Sequence, residues 1–374
     1  MQTVHCRRRV TRHGPRTSSR LRVLRLLFWL GTHLEPFFGP FRLLTSHLFL
    51  GGLSVVLSWL GTFVLLPRLM DRVGRDRGRE FAIQAEASKG KPTGTGVIFI
   101  SVFVVVQLLC LPLTLQSSVI LLLTLGAMLF GYLDDRAMLP WGEYKKGLLD
   151  LVLAVAAAAV LSGGSDVPMW LPFYKAQVIV PMWLFIAGGA LLIWVAINAT
   201  NCTDGVDGLS GSLTAIAFTA LGTLMYFILG HKEIADYLLL PHVRDGAVWG
   251  MIAFALVGTL MAYLWYNAHP SILLMGDAGS RALGFLLGVF VIKTGNPFMI
   301  LVVSGVLLVN GGTGLLKVAL LRFAKIRILQ DIRFPLHDHV RHTGKWSNPQ
   351  VLVRFTVLQV MLAMVLLLLM IKIR

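Results

Sequence analysis

Acidic side chains are scarce. The chain has 18 Asp and Glu in 374 residues, and charged residues of both signs make up only 14% of it. A soluble domain carries about 25%, so a water-facing surface on all sides is excluded. Cysteine is also rare. Cys6, Cys110 and Cys202 lie far apart and without metal-ligand spacing, which excludes a disulfide framework and a zinc site. No internal repeat is apparent, which weakens a transporter built from paired halves. The first 25 residues carry eight Arg and no acid, and no long apolar stretch follows closely, as it would in a cleaved signal peptide.

Apolar residues take the place of the missing charge. They form 56% of the chain, and the mean hydropathy is +0.75. Runs of about 20 apolar residues recur, which points to an all-α, polytopic membrane protein, because a span in lipid must satisfy its own backbone hydrogen bonds. Ten spans are predicted, roughly at 46–66, 95–115, 117–133, 147–163, 176–197, 209–229, 246–265, 281–293, 297–321 and 351–371. Residues 1–25 read as a basic, disordered extension, and 26–374 as one transmembrane domain. Leu26–Leu44 is aromatic and interrupted by Pro36 and Pro40, which suits an interfacial segment.

A net charge of +16 would suit nucleic acid in a soluble protein; here basic loops report orientation first, and they also suit anionic lipid or an anionic substrate. Loops after odd-numbered spans hold about 16 Lys and Arg, and those after even-numbered spans about three. The odd set is therefore cytoplasmic, and both ends of the ten-span bundle lie on the outer side, the basic tail against the rule.

The dense polar motifs all fall in the cytoplasmic set. The central one is Asn198–Leu209, with Asn198, Asn201, Asp204, Asp207 and Gly208 between two apolar runs. Asp204 and Asp207 would share one side if the turn ran into the next helix, or each would simply cap a helix. Lys89, Lys91 and Thr93 lie in a Gly- and Thr-rich turn able to hold phosphate, or are a basic flank of a span. Asp134 and Asp135 suit a divalent metal or a general base, or a solvated helix end. Asn267–Ser271 precedes Leu274–Ser280, where Gly276, Asp277 and Ser280 leave room for a metal-bridged diphosphate, or form a capped turn. His337 and His339 suit metal, phosphate or proton transfer, or are surface histidines. Together these groups are what phosphoryl transfer to a lipid phosphate requires.

Their order resembles the phospho-N-acetylmuramoyl-pentapeptide transferase family (MraY, translocase I). The resemblance is carried by Pro92-Thr93, Gly131–Asp135, the Thr-Asp-Gly-x-Asp-Gly-Leu string at 203–209, Asn267–Pro270, the Met-Gly-Asp-x-Gly-Ser string at 275–280, Pro335–His339 and Val351–Phe355. It runs from about Leu27 to the C-terminus. It implies a Mg²⁺-dependent transfer of the phospho-MurNAc-pentapeptide of UDP-MurNAc-pentapeptide to undecaprenyl phosphate, giving lipid I and UMP. It also implies a bacterial cytoplasmic (inner) membrane location, contact with membrane lipid, a homodimer and no nucleic-acid partner.

Carried over by motif, Asp277 is the metal ligand with Asp204 close to it, and Asp134 and Asp135 handle the lipid phosphate. Asn201, Asp204, Asp207 and Asn267 line the nucleotide pocket, and His337 and His339 serve the diphosphate or the sugar-peptide. Lys89, Lys91, Thr93, Asn198, Gly208, Gly276 and Ser280 complete the expected substrate-binding set. Both one-step attack and a two-step route through an enzyme carboxylate are open.

The chain departs from the family pattern in four places. The three consecutive His become His337-Asp338-His339. In the usual Lys-x-Gly-Thr-Pro-Thr-Met-Gly-Gly, Ser88 stands at the first Lys position, with Lys89 and Lys91 nearby. The Phe before Met-Gly-Asp is Leu274, and the Gly-Pro-x-x-His stretch is not present around Phe81–Glu86. Two other readings are a related UDP-N-acetylhexosamine transferase (WecA- or TagO-like) and a transporter. For the transporter, Asp150 is the nearest case of an acid inside a span.

Overall fold

The computed structural model describes residues 26–78 and 88–372. The basic extension at 1–25 and the Phe81–Glu86 stretch lie outside the described residues. The protein is 73% helical. Among the described residues, seven helices are long and apolar enough to cross a membrane, and helices stand at all ten predicted positions.

A short apolar entry comes first. α1 (Leu26–Leu34) and a 3₁₀ turn (Gly39–Thr45) precede the spans, with Phe37 and Phe38 exposed between them. α2 (His47–Leu69) starts at Ser46, whose hydroxyl accepts the Phe49 N–H. α3 (Gly96–Cys110) and α4 (Leu115–Arg136) follow, the latter opened by a reciprocal Thr114–Ser117 capping box. α5 (Glu143–Ser162) ends at Gly163, a left-handed residue. After a hairpin come α6 (Met182–Thr203), α7 (Leu209–Leu229, its last turn π-helical), the short α8 (Lys232–Tyr237) and α9 (Gly246–Asn267). α10 (Gly276–Lys293), α11 (Met299–Ala324), α12 (Leu336–His342) and α13 (Asn348–Lys372) complete the chain.

α10 is the axis of the bundle. Every residue from Gly276 to Ile292 is buried, although the helix carries Asp277 and Arg281. It packs against α6, α4, α3 and α7. A helix apolar all round belongs inside, and one with charges there needs partners for them. Its two ends mark the two faces of the bundle. At the C-terminal end Lys293 is bonded to Asp245 (3.0 Å) and Gln116, and the Trp249 indole donates to the same Asp245. At the N-terminal end lie the polar motifs.

Four spans differ from the sequence reading, the second by ending at Cys110 rather than 115, where Leu111 turns extended before Pro112. The fifth is predicted at 176–197, but Val167–Leu171 (β1) and Tyr174–Val180 (β2) form an antiparallel hairpin, and α6 begins only at Met182. Hydropathy cannot separate a short apolar strand from a helix; Pro181 resolves it by fixing the helix start. The buried Trp170 anchors the hairpin, its indole donating to Thr294 O at 2.8 Å. The shift carries Asn198–Thr203 into the last turns of α6, leaving only Asp204–Gly208 as the turn. Gly208 has φ +77° and α7 starts after it, so Asp204 and Asp207 share no helical face. The fourth and eighth spans start earlier than predicted, at Glu143 and Gly276. In both, polar residues in the first turn hide the helix start.

α4 and α10 cross at nearly bare backbone. A Cβ added at Gly131 would lie 2.3 Å from the Asp277 carbonyl oxygen. Gly131→Ala should therefore cost about 1–3 kcal/mol through overpacking and lower the thermal midpoint of the detergent-solubilised protein. Gly52→Ala, where nothing lies within 4 Å, should leave it unchanged.

Candidate active site

The site begins with a cap. Both oxygens of Asp135, at the end of α4, accept backbone N–H groups from α10: Asp277 N–H to Oδ1 and Ala278 N–H to Oδ2, each at 3.0 Å. A carboxylate at a helix N-terminus satisfies orphan donors and faces the positive end of the dipole. Gly276 permits the approach. It has φ +66°, and a Cβ there would stand 2.4 Å from Asp135 Oδ2.

This cap fixes Asp277, and charged partners surround it. Asn201 Nδ2 donates to Asp277 Oδ1 and to Ser280 Oγ, both at 2.9 Å. Arg281 Nε donates to Asp277 Oδ2 at 3.2 Å, and its guanidinium also pairs with the buried Asp150. Lys146, from the first turn of α5, pairs with Asp134 and lies 3.5 Å from Asp277 Oδ2. Asp134 Oδ1 accepts the Trp141 N–H at 2.8 Å. A cleft opens among Phe130, Asp134, Trp141, Lys146 and Arg281.

A second cluster ties three loops together. Asp207 Oδ1 accepts the Ser271 hydroxyl at 2.7 Å, and Oδ2 accepts the Ser271 N–H at 3.2 Å and lies 2.8 Å from His269 Nδ1. Lys91 Nζ donates to Ser271 Oγ at 3.0 Å. Burial opposes the charge on Asp207, but the bonds from Ser271 and His269, with Lys91 nearby, outweigh it and hold the carboxyl below its usual range. Asn267 braces the same turn: its Oδ1 accepts the Gly208 N–H and its Nδ2 donates to Leu273 O, both at 2.8 Å. Leu274 N–H donates to Pro92 O at 2.8 Å, fastening this loop to the Lys91 loop.

The third cluster surrounds His337. Its backbone N–H donates to Asn310 Oδ1 at 2.8 Å, and its Nδ1 lies 3.2 Å from the same oxygen. That oxygen is an acceptor, so Nδ1 carries the proton. Nε2 then faces the central turn, where a Cβ on Gly205 would come within 2.6 Å of it. Asp338, standing where the family pattern has His, pairs with Arg341 at 3.2 Å and lies 3.7 Å from His337 Nε2.

The expected residues thus divide. Asp134, Asp135, Asp277, Asn201, Gly276 and Ser280 converge; Lys91, Asp207, Gly208 and Asn267 form the adjoining wall. Asp204 is half-buried in the turn between these groups. Asn198 turns away, its amide donating to Trp194 O within its own helix. Lys89 is exposed, and the Thr93 N–H donates to Gly74 O. His339 faces the preceding loop, its Nδ1 accepting the Arg333 N–H at 3.4 Å. Sequence reasoning left out Lys146, Arg281, Asn310, His269 and Ser271 as site residues. Arg281 had a visible signal: it lies four residues after Asp277 on one helix face.

The donor set also tests a metal. Among the described residues no group of three or more His, Cys, Asp and Glu side chains is placed to hold one. Asp277 and Asp134, both meeting the Lys146 ammonium, are hard oxygen donors already facing a cation. They fit an ion that takes one or two carboxylates and completes its shell from phosphate and water.

Residues 117–295 match the family model described as Glycosyl transferase family 4. The phospho-N-acetylmuramoyl-pentapeptide-transferase of Treponema pallidum, in the Nichols strain and one other, is 53% identical over 346 residues, covering 92% of this chain and 95% of its own length. The protein of the same name from Rhodopseudomonas palustris strain BisB18 is 30% identical, over 91% of this chain and 98% of its own. This chain belongs to the phospho-N-acetylmuramoyl-pentapeptide-transferase family. The Lys91 loop and His337 lie outside the Glycosyl transferase family 4 match.

Lys146 is the cation shared by the two carboxylates. Lys146→Met should lower turnover on the order of 100-fold or more, the scale for losing one preorganised charge in an active site. Lys146→Arg should recover part of it, both read as initial rates on protein of unchanged gel-filtration profile.

Proposed function

We propose that the chain transfers the phospho-MurNAc-pentapeptide of UDP-MurNAc-pentapeptide to undecaprenyl phosphate, giving lipid I and UMP in peptidoglycan synthesis. The observation that carries this is the convergence of Asp134, Asp277, Asn201, Lys146 and Arg281 at one face of a transmembrane bundle, in a chain 53% identical to transferases of that name. The site opens beside spans, where a lipid phosphate can reach a water-soluble donor.

In the reaction an oxygen of the lipid phosphate bonds to the sugar-bearing phosphorus. The bond from that phosphorus to the UMP oxygen breaks, and UMP leaves with the electron pair. Asp134 faces the incoming lipid phosphate and takes its remaining proton. Lys146 offsets negative charge on the phosphoryl oxygens once donor and acceptor are both in place. Asp135 orients rather than attacks, because both its oxygens are occupied by N–H groups of α10, which favours one-step transfer. Asn201 holds the Asp277 carboxylate, and the Asp207 wall with Asn267 receives the nucleotide. His337 presents Nε2 toward the diphosphate.

Magnesium is part of this reading. Asp134, Asp135, Asp150 and Asp277 outnumber the two cations of the cluster, Lys146 and Arg281, so there is room for a further cation as anionic substrates enter. Asp277 would hold the ion, with Asp204 or Asp134 as its second carboxylate, and the ion would supply charge neutralisation to the diphosphate. The chain sits in the bacterial cytoplasmic membrane with the site on the cytoplasmic side, which the distribution of Lys and Arg among loops supports. The assembly the family resemblance implies is a homodimer.

The test is UMP release by purified protein given magnesium, undecaprenyl phosphate and UDP-MurNAc-pentapeptide. Release should need all three and stop on chelation with EDTA, and Asp277→Asn should reduce it to background. Turnover with UDP-GlcNAc in place of the pentapeptide donor would instead assign the chain to the sister branch.

A further inference from the structure

Lys91 stands where the family pattern has Thr, in a loop whose usual lysine position is Ser88. Its ammonium does not wave in solvent. It donates to Ser271 Oγ at 3.0 Å, and that hydroxyl donates in turn to Asp207 Oδ1 at 2.7 Å. The Ser271 N–H and His269 hold the other Asp207 oxygen. Four side chains from three loops thus form one relay, with Ser271 as the group that touches both the cation and the anion. The backbone bond from Leu274 N–H to Pro92 O keeps the loops in register beneath it.

We infer that Ser271 is a positioning residue that holds Lys91 as the cation for the donor's diphosphate, one hydroxyl away from collapse onto Asp207. A direct ion pair between Lys91 and Asp207 would tie up the ammonium within the protein and remove the carboxylate from the nucleotide wall. With the hydroxyl between them, Lys91 keeps N–H groups for phosphate oxygens, and Asp207 keeps its charge. Lys91 thereby takes the place of the missing lysine at 88, from a neighbouring point of the same turn. The inference rests on the proposed donor being a UDP-sugar.

The relay also fixes a pH dependence. Asp207 faces His269 and Lys91 as charged or titratable partners, with the buried Tyr263 beneath it. Its carboxyl lies below the usual range, so its charged state, and the loop contacts that need it, are present above that range. They are lost as pH falls through the depressed value. Removing the Ser271 hydroxyl takes away one of the bonds that depress it, and the loss then sets in at higher pH.

The experiment compares wild type, Ser271→Ala, Ser271→Thr and Lys91→Thr as full-length protein, by UMP release and by equilibrium binding of UDP-MurNAc-pentapeptide without acceptor. Ser271→Ala should weaken donor binding and raise KM about tenfold, the scale for one hydrogen bond to a charged group, with kcat within about twofold. Ser271→Thr should restore donor binding, and Lys91→Thr should weaken it at least as much as Ser271→Ala. Unchanged donor affinity in Ser271→Ala would overturn the inference while wild-type turnover upholds the functional reading. So would an equal fall in kcat and thermal midpoint that threonine does not rescue. A wild type that neither binds nor turns over the donor would overturn the functional reading and the inference with it.

Discussion

The clasp between Asp135 and the first two N–H groups of α10 is the contact on which the rest depends. α10 is buried along its length, so its N-terminal donors have no water to turn to, and an uncapped end there would cost several unsatisfied groups. A carboxylate from α4 meets that need and locks two helices at one point. Because the capped residue is Asp277 itself, the same contact that completes the fold aims the carboxylate at the centre of the site. The glycines at 131 and 276 follow from this, since backbone has to approach backbone for the clasp to close.

Charge balance follows from the same burial. Asp277 and Asp150 are taken out of water together with Arg281, and Lys146 closes the group from the open side. Breaking one partner of such a set leaves an uncompensated buried charge, which is far more destabilising than losing a surface pair. The Arg281–Asp150 pair is thus enclosed by the bundle, while Lys146 lies toward the cleft and is partly exposed. Asp150, the acid that a transporter would use inside a span, is occupied by Arg281.

Much of this was legible in the sequence, and for identifiable reasons. Apolar runs located ten helices, because lipid leaves the backbone few alternatives. Polar strings at the span ends named Asp134, Asp135, Asn201, Asp207, Asn267 and Asp277, because acids and amides are scarce enough here to stand out. The hairpin before α6 was not legible, since strand and helix look alike in hydropathy, and the error moved Asn198–Thr203 from loop to helix. Nor could spacing show that Lys146 converges on Asp277, or that Asp135 commits both oxygens to a helix end. Those are facts of helix crossing, and the residues concerned lie from 131 to 143 positions apart.

Amide hydrogen exchange over the segment spanning Met275–Ala282 tests the central claim most directly, comparing wild type with Asp135→Ala. If the Asp135 clasp holds the start of α10, the variant should lose protection at the Asp277 and Ala278 amides, while the interior of the helix, from Leu283 onward, stays protected. It should also bind donor weakly, because Asp277 is no longer aimed. Unchanged protection of those two amides in the variant would contradict the account, since the helix start and Asp277 would then be held by something other than Asp135.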